Sequence, residues 1–150
     1  MFLCGAIGYW TGRGGDLNGE LNNLHPFYSW AGIDVVEATE GESYLELRVQ
    51  DHHRGGGGTD AINGGIVAYL FDGILGAAVR SAWPDDVVRH VTITLNIQYH
   101  RLLRVKHTVI GRGHVTQFGG TTVFAKGEVY DDAGLVAATC TGVYRVFRRA

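Results

Sequence analysis

Residues 63–84 read NGGIVAYLFDGILGAAVRSAWP, and this stretch decides the architecture of the chain. Its apolar residues recur three and four positions apart, which is typical of an amphipathic helix. Asp60 or Asn63 is suited to cap the start of this helix, and Pro84 ends it. We therefore predict one long helix over residues 63–82.

The two faces of this predicted helix differ in composition. One face is an apolar stripe that must be buried, formed by Ile66, Val67, Leu70, Phe71, Ile74, Leu75 and Ala78. The other face is rich in small residues and holds Asp72. Within residues 64–83, Asp72 and Arg80 are the only residues that carry a full charge. A solvent-facing side is normally rich in lysine and glutamate, so we expect a partner subunit to cover this face. A carboxylate there is unfavourable without a partner or a function, and Arg80 lies too far along the helix for an i,i+4 pair.

Most of the remaining chain reads as strands. The predicted elements are a short helix over 16–29 with a break at Pro26, strands over 32–39 and 43–50, a glycine-rich loop over 51–62, and strands over 91–99, 105–118, 121–130 and 135–147. Within residues 91–99, apolar residues at odd positions alternate with polar residues at even positions. The connections between the last four strands are too short for parallel crossovers, so these strands should be antiparallel. We therefore predict an α+β fold in which a curved antiparallel sheet wraps around one long central helix.

Composition indicates a single globular domain. The chain has 150 residues, of which 45% are hydrophobic and 19% are charged, and this is enough to build one substantial core. We assign residues 1–24 to an N-terminal arm and the start of the short helix, and residues 25–150 to one domain. A formal net charge of −2 argues against nucleic acid as a partner.

Cysteine content and hydropathy bear on the cellular location and on binding to metals or membranes. Cys4 and Cys140 match neither a metal-binding spacing nor a disulfide framework, so we expect reduced thiols in a cytoplasmic protein without a metal site. No stretch reaches the ~18 apolar residues that a membrane span requires, and the apolar N-terminus lacks the features of a signal peptide. These observations favour a protein that has no membrane partner.

The segment from Asn63 to Asp72 resembles one motif of the hotdog-fold acyl-CoA thioesterase superfamily, which includes the phenylacetyl-CoA and 4-hydroxybenzoyl-CoA thioesterases. The family pattern is His-Gly-Gly followed, in phase, by an acidic residue on the helix. Supporting matches lie elsewhere in the chain, at His25-Pro26-Phe27, at Thr92 to Tyr99 followed by Arg101, and at Gly142-Val143-Tyr144-Arg145-Val146. The resemblance covers most of the chain, from about residue 25 to residue 147.

This resemblance implies an enzyme that hydrolyses acyl-CoA thioesters to a free acid and CoA. It implies the hotdog fold and a homodimer whose sheets join edge to edge, with a homotetramer as a further assembly. It implies no metal or redox cofactor, because coenzyme A enters only as part of the substrate. The acid of the family falls on Asp72 and its oxyanion-binding backbone N–H falls on Gly64, and the two halves of one site come from different subunits.

Three departures from the family pattern affect the predicted site. Asn63 stands where the family has histidine, and His52-His53-Arg54 with four glycines occupies the region of an upstream asparagine. Arg101 is followed by leucine instead of proline. The group that positions water therefore stays open between Asn63, which is also a plausible N-cap, and His53.

The chemistry of thioester hydrolysis suits these residues. Backbone N–H groups at a helix start stabilise the negative charge that develops on the carbonyl oxygen, and Gly64 and Gly65 allow an acyl group to approach closely. Asp72 can act as a general base or as a nucleophile, and the sequence does not separate the two routes. Four further residues are candidates for substrate binding near the phosphates of CoA: Arg101, Arg104, Gly120 and Thr121.

Two other functions are compatible with the same fold. The first is a non-catalytic acyl-CoA binding or sensor module, which the replaced histidine and the missing asparagine motivate. The second is a hotdog dehydratase acting on acyl carrier substrates, whose usual pairing of a histidine with an acid is not evident here.

Overall fold

The structure is a computed structural model that describes residues 17–24 and 26–150. The greater part of the predicted N-terminal arm, together with Cys4, lies outside the described residues. In chain order the elements are α1 (Leu17–Leu24), α2 (Pro26–Ala31), β1 (Ile33–Thr39), β2 (Glu42–Arg48), β3 (Arg54–Gly56), β4 (Ala61–Ile62), α3 (Gly64–Ser81), β5 (Val87–Tyr99), β6 (Thr108–Phe118), β7 (Thr122–Tyr130) and β8 (Val136–Arg148).

Six strands form one antiparallel sheet in the order β1-β2-β6-β7-β8-β5. The short strands β3 and β4 form a separate two-stranded ribbon that leads into α3. Helix α3 packs across one face of the large sheet, and its contacts extend from β1 to β8. The predicted α+β architecture, an antiparallel sheet around one long helix, is confirmed.

Helix α3 begins and ends where its sequence predicts. The side chain of Asn63 caps the first turn, and Ala82 follows the last residue as the C-cap. The predicted apolar stripe is buried, apart from Ile66, which is half-buried. The buried surface is wider than predicted, since Gly73, Ala77 and Val79 are also buried. The helix is therefore surrounded by protein on most of its circumference.

Glycines on the inner face of the sheet let α3 approach closely. A Cβ atom at Gly111 would collide with the side chain of Ile74. A Cβ atom at Gly127 would lie 2.9 Å from Cδ2 of Leu75. Large side chains of the helix thus fill the space that these glycines leave empty.

The predicted loop over residues 51–62 is more ordered than its glycine content indicates. It contains a 3-10 turn, Asp51–His53, followed by the β3–β4 ribbon. Gly55, Gly57 and Gly58 have positive φ angles of 106°, 60° and 73°, so glycine is the residue that makes this tight reversal accessible. A second difference is that the strand predicted from residue 105 begins only at Thr108.

The two edges of the large sheet differ. At the β1 edge, the side chains of Asn18 and Asn22 accept hydrogen bonds from the backbone N–H groups of Ala38 (3.0 Å) and Val35 (2.8 Å). These contacts occupy groups that an edge strand otherwise offers to another chain. At the β5 edge, no described strand pairs with the free side, and Ile93 is 56% exposed. None of the described helices is both long and apolar enough to cross a membrane.

Candidate active site

Asp72 lies near the middle of α3 and is exposed in the single chain. The hydroxyl of Thr92, on β5, donates a hydrogen bond of 2.8 Å to Oδ1 of Asp72. Arg80 does not contact this carboxylate, because it pairs with Glu20 at 3.1 Å and its guanidinium lies 4.3 Å from the ring centroid of Trp83. The expectation that Asp72 and Arg80 form no intrahelical pair therefore holds.

Several neutral protic groups surround Asp72. Burial, followed by the charges of Tyr69 and Asp72, raises the pKa of Tyr28 on α2. Burial, followed by the charge of Asp72, also raises the pKa of Tyr69. Burial raises the pKa of the Cys140 thiol to about 11, with a smaller contribution from Asp72. These groups hold their protons at neutral pH, so one carboxylate is the charged centre of a cluster of potential donors.

The start of α3 presents one unused amide. The N–H of Gly65 donates to the side-chain oxygen of Asn63 at 2.8 Å, so this amide is already engaged in the cap. Among the described residues, the N–H of Gly64 has no acceptor, as is expected for the first amide of a helix. The hydroxyl of Tyr99 donates to the carbonyl of Gly64 at 2.7 Å. Of the two predicted roles of Asn63, the cap is the one that is seen.

One chain alone does not bring the acid and the amide together. Asp72 follows Gly64 by eight residues in the same helix. At 1.5 Å per residue, this separates the two by about 12 Å along the axis. A carbonyl that accepts from the Gly64 amide is therefore out of reach of Asp72 in the same chain.

His53 lies just before the start of α3 and has no exposed surface. Its Nδ1 accepts from the N–H of Gln50 at 2.9 Å, and its carbonyl accepts from the N–H of Asn63 at 2.8 Å. Burial lowers the pKa of His53, and the neighbouring His52 and Arg54 lower it further, while the backbone of Ala31 opposes them. These contacts hold the helix start in place, and the role of His53 in positioning water stays a prediction.

A cavity of about 350 Å³ lies beside the start of α3. It is lined mainly by apolar atoms of the β3–β4 ribbon, of α3 and of the segment after β5, including Gly56, Ile62, Gly64, Val67, Tyr99, Arg101 and Leu103. Arg101 is exposed at its rim, whereas Arg104 points to Asp60 and pairs with it at 3.0 Å. A larger cavity of about 830 Å³ lies on the face of the sheet away from α3, and none of the predicted site residues lines it.

The predicted binding residues Gly120 and Thr121 are not close to Arg101 in one chain. Thr122 is level with Arg145, which pairs with Val91 near the beginning of β5. Arg101 lies beyond the other end of the same strand, so more than half the length of β5 separates it from Val91. The sheet therefore places these two groups at opposite ends of β5.

Two residues near Asp72 were not predicted from the sequence pattern. They are Thr92 on β5 and Tyr144 on β8. Simple alternation over residues 91–99 groups Thr92 with the polar side of the strand. A register shift between Thr92 and Thr94 reverses the alternation, so Thr92 faces α3 while Ile93 is exposed. Such a bulge leaves no clear sequence signal here, because residues 91–99 contain no glycine or proline.

In the part of the chain that the structure describes, no three His, Cys, Asp or Glu side chains form a group that could hold a metal ion. Cys140 is buried and makes no disulfide with any described residue.

Comparisons with known proteins agree with the fold. A model of the thioesterase superfamily matches residues 60–138. The chain is similar to the "Putative esterase" of Halobacterium salinarum, with 36% identity over 134 residues that cover 83% of this chain and 86% of that protein.

Two solved structures show the same fold at low sequence identity. One is the E. coli PaaI protein from the phenylacetic acid degradation operon, with 18% identity, a TM-score of 0.76, and coverage of 87% of this chain and 91% of that chain. The other is a hypothetical thioesterase from Streptococcus pneumoniae with coenzyme A, with 18% identity, a TM-score of 0.72, and coverage of 88% and 98%.

The family model spans more than half of the chain, and the Halobacterium relative spans most of it. Both support hydrolysis of thioesters in general. The six-stranded antiparallel sheet with its long helix is the hotdog fold of the structural neighbours. The chain therefore belongs to the thioesterase superfamily.

Proposed function

We propose that this protein hydrolyses acyl-CoA thioesters to a free acid and CoA in a site that two copies of the chain share. Asp72 of one copy supplies the base or nucleophile, and the N–H of Gly64 of the other copy stabilises the oxyanion. One observation carries this proposal: both groups are anchored to the same edge strand, β5, whose outer side pairs with no described strand. Thr92 of β5 holds Asp72, and Tyr99 of β5 holds Gly64.

An antiparallel pair of two β5 strands is the arrangement that unites these groups. Thr92 and Tyr99 both face α3, and residues opposite each other in an antiparallel pair point to the same face. We therefore align Thr92 of one copy with Tyr99 of the other. Because of the bulge, residues 93 and 94 together occupy one position along the strand. Asn96 is then midway between Thr92 and Tyr99, so it lies opposite Asn96 of the other copy, on the two-fold axis. Asp72 of one copy then lies beside Gly64 of its partner.

The chemistry follows from these roles. The Gly64 amide at the helix start is fixed before reaction and lies at the positive end of the helix dipole, so it favours the charge that develops on the thioester oxygen. In one route Asp72 accepts a proton from a water molecule whose oxygen attacks the carbonyl carbon, and the CoA thiolate leaves. In the other route the carboxylate of Asp72 attacks the carbonyl carbon and expels the CoA thiolate, and water then hydrolyses the resulting anhydride. After a single turnover in ¹⁸O-labelled water, label in the Asp72 carboxylate demonstrates direct attack, with water opening the anhydride at the aspartyl carbon. An anhydride opened at the acyl carbon labels only the product, as the water route does, so trapping of the anhydride with hydroxylamine completes the distinction.

Substrate recognition is proposed at the cavity beside Gly64. Arg101 at its rim can pair with a phosphate of CoA, and a structural neighbour from Streptococcus pneumoniae is described with coenzyme A. Hydrolysis of this kind uses side chains and backbone alone, so we propose no metal or redox cofactor. We further propose a cytoplasmic location, where the Cys140 thiol stays reduced.

The test is a thiol-release assay on short, medium and aromatic acyl-CoAs. We expect Asp72→Asn to lower kcat by about 10²- to 10⁴-fold, the contribution typical of a positioned base. Acyl-CoA binding, measured by calorimetry, should be retained. The matched control is Asp34→Asn, which neutralises an exposed carboxylate on β1 that pairs with Arg48 at 3.5 Å, and it should leave kcat unchanged.

Other outcomes of this assay contradict the proposal. Full activity in Asp72→Asn would remove this carboxylate from the mechanism. A wild-type protein that binds acyl-CoA but releases no thiol across the panel would instead favour the non-catalytic sensor. The presence of Asn63 in place of the family's histidine is the sequence feature that suggests this alternative.

A further inference from the structure

Tyr144 is a fully buried polar residue beside the proposed acid. It lies on β8, directly across the strand pair from Thr92, and its side chain is 0% exposed. Its ring meets His90 edge to face, with 5.6 Å between the ring centroids. Gly142 makes room for the ring, since a Cβ atom there would lie 2.9 Å from Cε2 of Tyr144. The phenol is thus held in one place by its neighbours.

Tyr144 and Thr92 lie directly opposite each other in the β5–β8 pair, and side chains in such positions share one face of the sheet. Burial raises the pKa of Tyr144 most, the charge of Asp72 raises it further, and a hydrogen-bond interaction with Thr92 opposes them. Cys140 and Tyr28 act on the same phenol from β8 and α2. The approach to Thr92 falls short of full hydrogen-bond geometry, and no other described residue pairs with this buried hydroxyl. A buried hydroxyl is unfavourable without a partner, so a small adjustment toward Thr92 is favoured.

The hydroxyl of Thr92 can accept this bond. A threonine hydroxyl has one donor and two acceptor lone pairs. Its donor is used on Oδ1 of Asp72, and this leaves its lone pairs for the phenol of Tyr144. A donor into Thr92 strengthens the bond that Thr92 gives to the carboxylate, because hydrogen bonds in a chain polarise one another.

We propose that Tyr144 is a positioning residue for the reaction: its hydroxyl donates to Thr92, which donates to Asp72. This two-step relay fixes Oδ1 and favours the ionised carboxylate, and it leaves Oδ2 to face water or the thioester. The inference rests on the proposed function of Asp72. It adds a residue that touches neither substrate nor water and acts only through Thr92.

The test is a double-mutant cycle of Tyr144→Phe and Thr92→Val in the thiol-release assay. We expect Tyr144→Phe to lower kcat about 3- to 10-fold with KM almost unchanged, as for the loss of one hydrogen bond. The acid limb of the pH profile should move to higher pH, because the ionised carboxylate loses a hydrogen-bond donor. In the Thr92→Val background, Tyr144→Phe should have no further effect, since the relay is already broken.

The matched control is Tyr130→Phe, which removes a hydroxyl that donates to Glu128 on the outer face of the sheet. It should change neither kcat nor the acid limb. Should Tyr144→Phe fold poorly, 3-fluorotyrosine at position 144 keeps the ring shape and makes the hydroxyl a stronger donor. The acid limb should then move to lower pH.

Three results would overturn the relay. These are an unchanged acid limb in Tyr144→Phe, an equal effect of that substitution with and without Thr92, and a fluorotyrosine profile that matches wild type. A wild-type protein without thiol release would instead reject the proposed function. The relay is then decided by carbon-13 NMR of the Asp72 carboxyl at neutral pH. Its chemical shift must change in Tyr144→Phe, and the same substitution must leave it constant in the Thr92→Val background; a constant shift in both would reject the relay.

Discussion

At the scale of single residues, the site depends on which groups already have partners. Asn63 uses its side chain to hold the Gly65 amide, so the Gly64 amide is the one left for a ligand. Thr92 holds one oxygen of Asp72 and leaves the other open. The hydrogen bonds within the chain thus select one donor and one acceptor from a motif that contains several of each.

His53 gives a residue-scale prediction about stability. Its pKa in the folded protein lies below the ordinary value of 6.5, because burial disfavours the charged ring. Below about pH 6.5 the unfolded chain therefore binds more protons than the folded one, and stability falls as the pH decreases toward the folded pKa. We expect His53→Gln to reduce the loss of Tm between pH 7 and pH 5.5, as measured by calorimetry.

The control for this prediction is His114→Gln, which removes an exposed histidine of β6. It should keep the wild-type slope of Tm against pH. An unchanged slope in His53→Gln would show that burial, together with the neighbouring His52 and Arg54, does not disfavour the charged ring.

The sequence makes part of this site predictable and hides the rest. Asp72 stands out because it is a lone acid in an apolar helix, and the resemblance to the thioesterase family assigns the oxyanion-binding amide to Gly64. Thr92 and Tyr144 could not be found in the same way, because a bulge changes which side of β5 faces the helix. Periodicity assumes an unbroken strand, so it fails at the point where the sheet irregularity matters most.

At the scale of elements, the β3–β4 ribbon connects the start of α3 to the rest of the fold. The ribbon is short, and Arg54 ties it to the segment before β6 by donating to the carbonyl of Val105 at 3.1 Å. Ile62 also donates its N–H to the carbonyl of Leu103 at 2.9 Å. Long-range contacts of this kind cannot be read from a run of glycines, so the sequence predicts only a loop here.

Gly56 gives the prediction at this scale. A Cβ atom at this position would lie 2.5 Å from the carbonyl oxygen of Ile62, and backbone cannot move aside as a flexible side chain can. We expect Gly56→Ala to destabilise the protein by about 1–3 kcal/mol, measured by urea unfolding, because overpacking against backbone displaces the ribbon. Gly120→Ala is the stability control, since nothing lies within 4 Å of a Cβ atom there. Equal unfolding free energies for the two variants would contradict this account.

At the scale of the whole molecule, the proposed pairing of two β5 strands gives a test by cross-linking. With the two-fold axis at Asn96, the Cα atoms of the two copies of this residue lie about 4.5–5.5 Å apart, which is within the range that a disulfide spans. We expect Asn96→Cys to form a covalent dimer on mild oxidation, seen by non-reducing electrophoresis. Gln98→Cys, on the same strand and two positions away, should cross-link far less.

Wild-type protein treated in the same way is the further control, because it retains its native cysteines. Efficient cross-linking of Gln98→Cys without that of Asn96→Cys would place the axis elsewhere. A monomer at all concentrations in sedimentation analysis would remove the shared site altogether, since the acid and the amide lie about 12 Å apart in one chain.

The unequal edges of the sheet set a limit on assembly. When two copies join through β5, the strands left at both outer ends are β1, and each is already covered by the asparagines of its own first helix. The sheet of the dimer therefore has no uncovered edge strand at either end, so no further copy can be added by strand pairing. Larger assemblies must then form through the broad surfaces of the molecule, and a concentrated solution is protected against the strand-by-strand stacking that leads to fibres.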